Sequence, residues 1–250
     1  MEKQRADVAL CLAGLCESRS KARALIKEGA VLANGIPVEK PSELVGEDVQ
    51  LSLTEAAGAD VSRAGQKLRA ALSAFEIDPK GMIFADIGAS TGGFTQCLLE
   101  KGAVKVYAVD VGRDQLHKSL RADPRVVNME GTNARELGAE DFADVIDGAV
   151  MDVSFISQTL IYPALARVLK EGAPLVTLVK PQFEVGRENV GKNGIVKDKN
   201  GSLFAAVLLK LKLSAEDNGF TFVKTVPSPI KGSKGNTEYL ALFFKQQNQG

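Results

Sequence analysis

From about residue 80 onward, short apolar runs alternate with stretches of helical period, and this alternation narrows the possible folds more than any other feature of the 250 residues. Segments 82–86, 104–110, 126–129, 148–152, 175–180, 220–226 and 239–244 read as strands, with helices near 63–76, 92–101, 114–121, 156–170 and 201–218. A strand followed by a crossover helix returns parallel to its predecessor and with a right-handed connection. The pattern therefore predicts an α/β fold, a doubly wound and mostly parallel sheet. Only a loop separates the last two runs, which predicts an antiparallel pair at one edge.

One loop in this pattern carries chemistry. Asp86-Ile87-Gly88-Ala89-Ser90-Thr91-Gly92-Gly93-Phe94 follows an apolar strand and opens a helix, where a doubly wound sheet brings backbone close to a nucleotide-like ligand. The spacing D-x-G-x-x-x-G-G is not the G-x-G-x-x-G of a pyrophosphate cradle, so a ligand without phosphates fits better. Asp110, with Val111 after it, ends the next strand and is placed to accept hydrogen bonds from both hydroxyls of a ribose. Gly92 and Gly93 let the helix start pass close to an amino-acid moiety. Thr132 and Asn133 follow the third strand, where an adenine edge would lie. S-adenosylmethionine combines ribose, adenine and amino acid without phosphates and is the expected cofactor.

The first 60 residues have a different character. Residues 5–28 read as two short helices, with Val8, Leu10, Leu12 and Leu15 apolar in the first. Ser18 is the expected N-cap of the second, which carries Ala22, Leu25 and Ile26 and is closed by Gly29. Asn34-Gly35 between apolar runs signals a hairpin, and residues 49–53 alternate as a further strand. Residues 54–60, rich in Ala and Gly, read as a connector. The expected organisation is a small α+β domain at 1–58, a linker at 59–62 and the α/β domain at 63–250.

Lys and Arg number 31 against 31 Asp and Glu, so net charge argues for no polyanionic partner and local charge must carry any such case. Arg19, Lys21, Arg23 and Lys27 crowd the second helix, and residues 180–235 hold ten basic against five acidic residues. Three cysteines, none in a C-x-x-C, fit free thiols in the cytoplasm, and no apolar run approaches the roughly 18 residues of a membrane span. No metal-ligand spacing is visible, and His117, the single histidine, reads as a surface helix residue.

Several blocks together carry a family resemblance. They are Val61-Ser62-Arg63-Ala64-Gly65-Gln66-Lys67-Leu68, the Asp86 loop, Asp110-Val111-Gly112, Asp123-Pro124-Arg125-Val126, Thr132-Asn133-Ala134-Arg135, Asp152-Val153-Ser154-Phe155-Ile156-Ser157, Leu178-Val179-Lys180-Pro181-Gln182-Phe183-Glu184-Val185-Gly186 and Gly235-Asn236-Thr237-Glu238-Tyr239. They resemble the TlyA family, hemolysin-named rRNA 2′-O-methyltransferases with an FtsJ-like catalytic domain. The first 55 residues resemble the ribosomal-protein-S-four-like RNA-binding module that precedes it. Ala64 and Ala59-Asp60 depart from the family pattern.

The resemblance implies a Rossmann-like methyltransferase sheet behind a small RNA-binding domain, with a catalytic tetrad at Lys67, Asp152, Lys180 and Glu238. It implies a cofactor site of Asp86, Gly88, Ala89, Ser90, Thr91, Gly92, Gly93, Phe94, Asp110, Val111, Thr132, Asn133 and Asp152. Arg5, Arg19, Lys21, Arg23, Lys27 and Arg63 are the expected RNA contacts. A ribose 2′-hydroxyl is a poor nucleophile and must lose its proton as it attacks a methyl group, so a lysine must act as neutral amine. Lys180, after an apolar strand, is the expected general base, with Lys67 lowering its pKa by like charge and the two carboxylates orienting the ammonium groups; the order of the lysines stays open. Phe155 and the loop 181–199, with Arg187, Lys192, Lys197 and Lys199, are expected to touch substrate. The implied partners are ribosomal RNA or ribosomal subunits, the target a cytidine ribose, with neither membrane nor metal. Two rival readings remain: a non-catalytic RNA-binding ribosome-assembly factor, and a membrane-active hemolysin.

Overall fold

The computed structural model describes residues 3–16, 19–27, 29–54, 63–198, 200–232 and 234–247, without the side chains of Ser20, Lys21, Ala24 and Lys27. The chain divides into two compact units, Met1–Arg63 and Ala64–Gly250.

In the first unit, β1 (Lys3–Arg5) leads into α1 (Ala6–Leu12) and then α2 (Arg19–Lys27). Gly29 at φ +70° ends α2, its N–H reaching Ile26 O while Ala30 N–H reaches Leu25 O. β2 (Val31–Ala33) and β3 (Ile36–Pro37) form the hairpin, with Asn34 and Gly35 both at positive φ as a two-residue turn of this hand requires. β4 (Leu44–Gly46) pairs antiparallel with β1, and β5 (Leu51–Leu53) pairs with β2. Ala6, Ala9 and Leu10 of α1 pack with Ala22, Leu25, Ile26, Val31, Val38 and Val45.

Two expectations here need correction. Leu12 is 73% exposed because the buried stripe of α1 runs through Ala6, Ala9 and Leu10, leaving Leu12 on the outer face. The strand at 49–53 begins at Leu51, since Val49 N–H is taken by Gly46 O in a turn. The β1–β4 pair went unread because Lys3-Gln4-Arg5 has no apolar alternation and its partner lies about 40 residues away in the sequence. Ser18 and the linker 59–62 lie outside the described residues.

The second unit starts within α3 (Arg63–Phe75), at Ala64, and continues β6 (Ile83–Ile87), α4 (Gly93–Glu100), β7 (Lys105–Asp110), α5 (Lys118–Arg121), β8 (Val126–Glu130), β9 (Gly148–Met151), α6 (Tyr162–Val168), β10 (Pro174–Val179), α7 (Ser202–Asp217), β11 (Phe220–Pro227) and β12 (Tyr239–Lys245). These strands form one sheet in the order β11-β12-β10-β9-β6-β7-β8, the last five parallel and β12 antiparallel to both its neighbours. The expected antiparallel pair is present, with β11 outermost. From β6 the chain winds outward to β8 and then crosses back to β9, so the sheet reverses direction between β6 and β9. Open α/β sheets bind ligands outside the carboxyl ends of the strands at such a switch point.

Alternate residues of the central strands, among them Ala85, Ile87, Tyr107, Val109, Ala149, Met151, Ala241 and Phe243, pack in one buried cluster with Leu165 of α6 and Leu211 of α7. The helix expected at 114–121 contracts to α5. Asp114 sits at φ +56°, Glu130 Oε1 accepts the N–H groups of Gln115 and Leu116, and His117 caps α5 by accepting Ser119 N–H. The helix expected at 156–170 is a 3-10 turn, Gln158–Leu160, followed by α6. No helix of the described residues is long and apolar enough to cross a membrane.

Candidate active site

The carboxyl ends of β6 and β9 meet at Gly88. At φ +82° a Cβ there would lie 2.5 Å from the backbone oxygen of Asp152, so only glycine permits this approach. Gly92, at φ +95°, begins α4 where a side chain would collide with Leu120. Between them, Ser90 N–H donates to Asp110 Oδ2 at 2.8 Å, while Gly112 N–H donates to Oδ1 at 2.7 Å. The Asp110 carboxylate is therefore fixed at the end of β7 with lone pairs to spare.

Asp86 is completely buried. Thr95 Oγ1 donates to its Oδ2 at 2.7 Å, and its Oδ1 has no partner among the described residues. Burial pushes the Asp86 carboxyl up to about 7 against the pull of Thr95, and the negative charges of Asp152 and Asp110 add to the rise. Three carboxylates thus converge around the glycine loop. Such a site repels phosphate and favours a cationic group.

The remaining residues of the expected cofactor set divide. Ala89 and Phe94 are buried, and Val111 is exposed beyond Asp110. Thr132 N–H is bonded to Asp110 O. The Asn133 side chain caps a 3-10 turn, accepting from Arg135 N–H and donating to Glu136 Oε1 at 2.6 Å.

The four tetrad positions form two ion pairs. Lys67, on α3, donates to Glu238 Oε2 at 2.6 Å, with side-chain exposures of 10% and 3%. Lys180 Nζ lies 2.5 Å from Asp152 Oδ1 and donates to Ser154 Oγ at 2.9 Å. Strand register explains why the pairs are neighbours. Val179 opposes Tyr239 across β10 and β12, which brings Lys180 and Glu238 to adjoining positions, and Asp152 directly follows β9, the other neighbour of β10. Gln182 Nε2 bridges toward Glu238 Oε1 at 3.4 Å.

A second layer braces these groups. Buried Glu184 accepts from Ser157 Oγ at 2.6 Å, Gln158 N–H at 2.8 Å and Lys210 Nζ at 2.9 Å, tying the loop after β9 to the loop after β10 and to α7. Gln158 in turn donates to Leu178 O and accepts from Tyr162. Phe155 stands on this brace at φ +66°, a strained backbone for an aromatic residue, 91% exposed, its ring 4.9 Å from that of Phe183. Ser154, Gln182 and Glu184 fall within the blocks that carry the family resemblance, and Gln158 just beyond one of them, but none had an individual role from sequence.

In the first unit, Asp7 is wholly buried and gathers three arginines. Arg5 donates from Nε and Nη2 at 2.9 and 3.1 Å, Arg23 from Nε at 2.9 Å and Arg19 from Nη2 at 3.3 Å. The hydrogen bond from Arg5, followed by those from Arg23 and Arg19, holds the Asp7 carboxyl well below the usual range despite its burial. All three guanidinium groups remain about half exposed. Lys21 and Lys27 lie on α2 with side chains outside the description, and Arg63 begins α3.

Comparison with known proteins matches residues 61–245 to the FtsJ-like methyltransferase model and residues 4–51 to the S4 domain. The 16S/23S rRNA (cytidine-2′-O)-methyltransferase TlyA of Mycobacterium tuberculosis is 44% identical, covering 95% of this chain and 88% of that protein. A hemolysin-named protein of Streptococcus thermophilus has a solved structure with 44% identity and a TM-score of 0.78, covering 99% of this chain and 90% of that one. An S-adenosylmethionine-dependent methyltransferase of Mesorhizobium loti shares the fold at 15% identity and TM-score 0.52, over 71% of this chain and 97% of that one. With one family model spanning most of its length and relatives this similar from end to end, the chain belongs to the FtsJ-like methyltransferases and, within them, to the TlyA family.

Proposed function

We propose that this chain transfers a methyl group from S-adenosylmethionine to the 2′-hydroxyl of a cytidine ribose in ribosomal RNA. The observation that carries the reading is the pairing of Lys67 with Glu238 and Lys180 with Asp152 at the carboxyl edge of the sheet, beside the acidic glycine loop.

The residues present fit the cofactor. Its ammonium and sulfonium charges would suit the negative potential that Asp86, Asp110 and Asp152 share around the glycine loop. The anchored Asp110 carboxylate suits the two ribose hydroxyls. When bound, the cofactor supplies an electrophilic methyl group. Lys180 would accept the 2′-proton as that methyl group is transferred to the ribose oxygen, which requires the lysine to be present as the free amine. Asp152 and Ser154 hold the Lys180 nitrogen in place, and Lys67, fixed by Glu238, positions the hydroxyl or its phosphate. A positioned base contributes on the order of 10²–10⁴ in rate, whereas alignment of the reacting atoms supplies up to about 7–11 kcal/mol of barrier lowering. Positioning outweighs proton transfer.

The arginines on Asp7 and the S4 match support an RNA substrate, contacted through phosphates, and the name of the Mycobacterium tuberculosis relative supports the ribosomal cytidine. With a ribosomal substrate, the proposed location is the cytoplasm. The test is transfer of labelled methyl from S-adenosylmethionine to unmodified ribosomal subunits and naked rRNA, with Lys180→Ala and Lys67→Ala as controls. Label recovered as 2′-O-methylcytidine with wild type alone is the expected result. Tight cofactor binding without any label would replace the reading with that of a non-catalytic assembly factor.

A further inference from the structure

Residues 189–197 form a small hairpin. Val190 and Val196 bridge antiparallel, Gly191 N–H donates to Ile195 O at 2.8 Å, and Lys197 N–H donates to Asn189 O at 3.0 Å. Gly194, at φ +80°, makes the turn. The hairpin is fastened by one buried side chain, Asn236, 5% exposed. Asn236 Oδ1 accepts Val196 N–H at 2.9 Å and Nδ2 donates to Gly194 O at 2.9 Å, while its backbone oxygen accepts Gly232 N–H at 2.9 Å. Two residues later the chain reaches Glu238, whose carboxylate lies against Gly232 so closely that a Cβ there would have to displace it. One amide therefore sets the hairpin and the approach to the Lys67–Glu238 pair together.

The charges on this hairpin are one-sided. Lys192 and Lys197 are exposed, and exposed Lys234 lies along Gly194, its Nζ 3.0 Å from where a Cβ would stand. None of the three is ion-paired among the described residues. The nearby carboxylates are engaged elsewhere: Asp198 caps α7 by accepting the N–H groups of Leu203 and Phe204, and Glu188 accepts from Asn189 Nδ2. Exposed lysines without an ion-pair partner among the described residues, gathered about a backbone fixed by a buried amide, are arranged for an anionic partner. Lysine is a compact point charge without the planar fork that reads base edges, so it suits backbone phosphates.

We propose that this hairpin is a phosphate-contact surface for the RNA strand flanking the target nucleotide, and that Asn236 is the positioning residue that couples that grip to the Lys67–Glu238 pair. The proposal rests on the RNA methyl-transfer reading above and adds the strand contact to it.

The test uses the full chain, rRNA and S-adenosylmethionine. A Lys192→Gln/Lys197→Gln/Lys234→Gln variant should raise the KM for RNA and make the slope of log affinity against log salt shallower by about 2, at roughly 0.7 per lost single-strand phosphate contact, with cofactor affinity unchanged. Asn236→Ala keeps every lysine yet should also raise the RNA KM and lower kcat, with cofactor affinity near wild type. An unchanged salt slope and KM in the triple variant, with wild type methylating RNA normally, would overturn the surface. Loss of cofactor affinity in Asn236→Ala in parallel with RNA affinity would overturn the coupling, since the amide would then merely hold the unit together. Wild type that binds cofactor and methylates no RNA would refute the underlying reading instead.

Discussion

Breaking the Lys67–Glu238 pair separates what it does for stability from what it does for chemistry. Glu238→Gln leaves an ammonium group only 10% exposed without a counter-charge, and Lys67→Met leaves a carboxylate only 3% exposed in the same position. Removing one member of a buried pair costs about 3–5 kcal/mol, because the survivor keeps its desolvation penalty and loses the attraction that offset it. For a unit of roughly 150–250 residues each kcal/mol is worth about 2–4 °C, so either single variant should melt about 6–20 °C below wild type. Gln182 Nε2, 3.4 Å from Glu238 Oε1, offers the stranded carboxylate a second donor, so Lys67→Met should sit toward the mild end of that range. The double variant Lys67→Met/Glu238→Gln is close in volume to the wild type and buries no net charge. It should recover most of the lost stability while methyl transfer stays absent. Thermal unfolding of the full chain and the labelled-methyl assay, run on all four proteins, form a double-mutant cycle. Single variants that melt within a degree or two of wild type would show that the pair is not desolvated. A double variant that still modifies RNA would remove both residues from the chemistry.

Two further outcomes follow from the other buried carboxylates. Asp86 has a native pKa pushed up to about 7 by burial, against 3.8 for an ordinary aspartate, so between these values the folded, cofactor-free protein holds a proton that the unfolded chain releases. The stability this group contributes is therefore fully present below about pH 4 and lost as pH rises through 7. The melting temperature of cofactor-free wild type should fall across that window and that of Asp86→Asn should not, and parallel profiles would refute the assignment. Asp7→Asn deletes a negative charge amid three arginines, which by bare electrostatics should tighten binding to a polyanion. Because Asp7 orients those arginines, we expect RNA affinity to weaken instead, and tighter binding at matched salt would show that orientation does not matter.

What was legible in the sequence, and what was not, divides along a physical line. The strands of the sheet were visible because a parallel sheet buries continuous apolar runs, and the glycine loop because Gly88 and Gly92 occupy backbone conformations that bar a side chain. Lys67, Asp152, Lys180 and Glu238 were visible as a family pattern, although nothing in their spacing says which lysine takes which carboxylate. The register of β10 brings Lys180 beside both carboxylates, and the pairing is settled by the side-chain contacts, Lys67 of α3 reaching Glu238 and Lys180 reaching Asp152. The residues that escaped are buried polar groups that satisfy bonds to distant segments: Asp7 reaches residues 5, 19 and 23, Glu184 reaches 157, 158 and 210, and Asn236 reaches 194 and 196. No periodicity marks such a residue, because its position is fixed by where its partners end up and not by a face of its own element. Yet each of the three holds exposed groups in place: the arginines of the first unit, the loops that carry Phe155 and Lys180, and the lysines of the hairpin. A burial cost of several kcal/mol per unpaired polar group makes each hub all-or-none, so partial loosening is disfavoured and the exposed groups inherit a fixed geometry. The residue types that meet substrate can therefore be read from a motif, whereas the accuracy with which they meet it resides in side chains to which a motif, even where it contains them as it does Glu184 and Asn236, gives no role of their own.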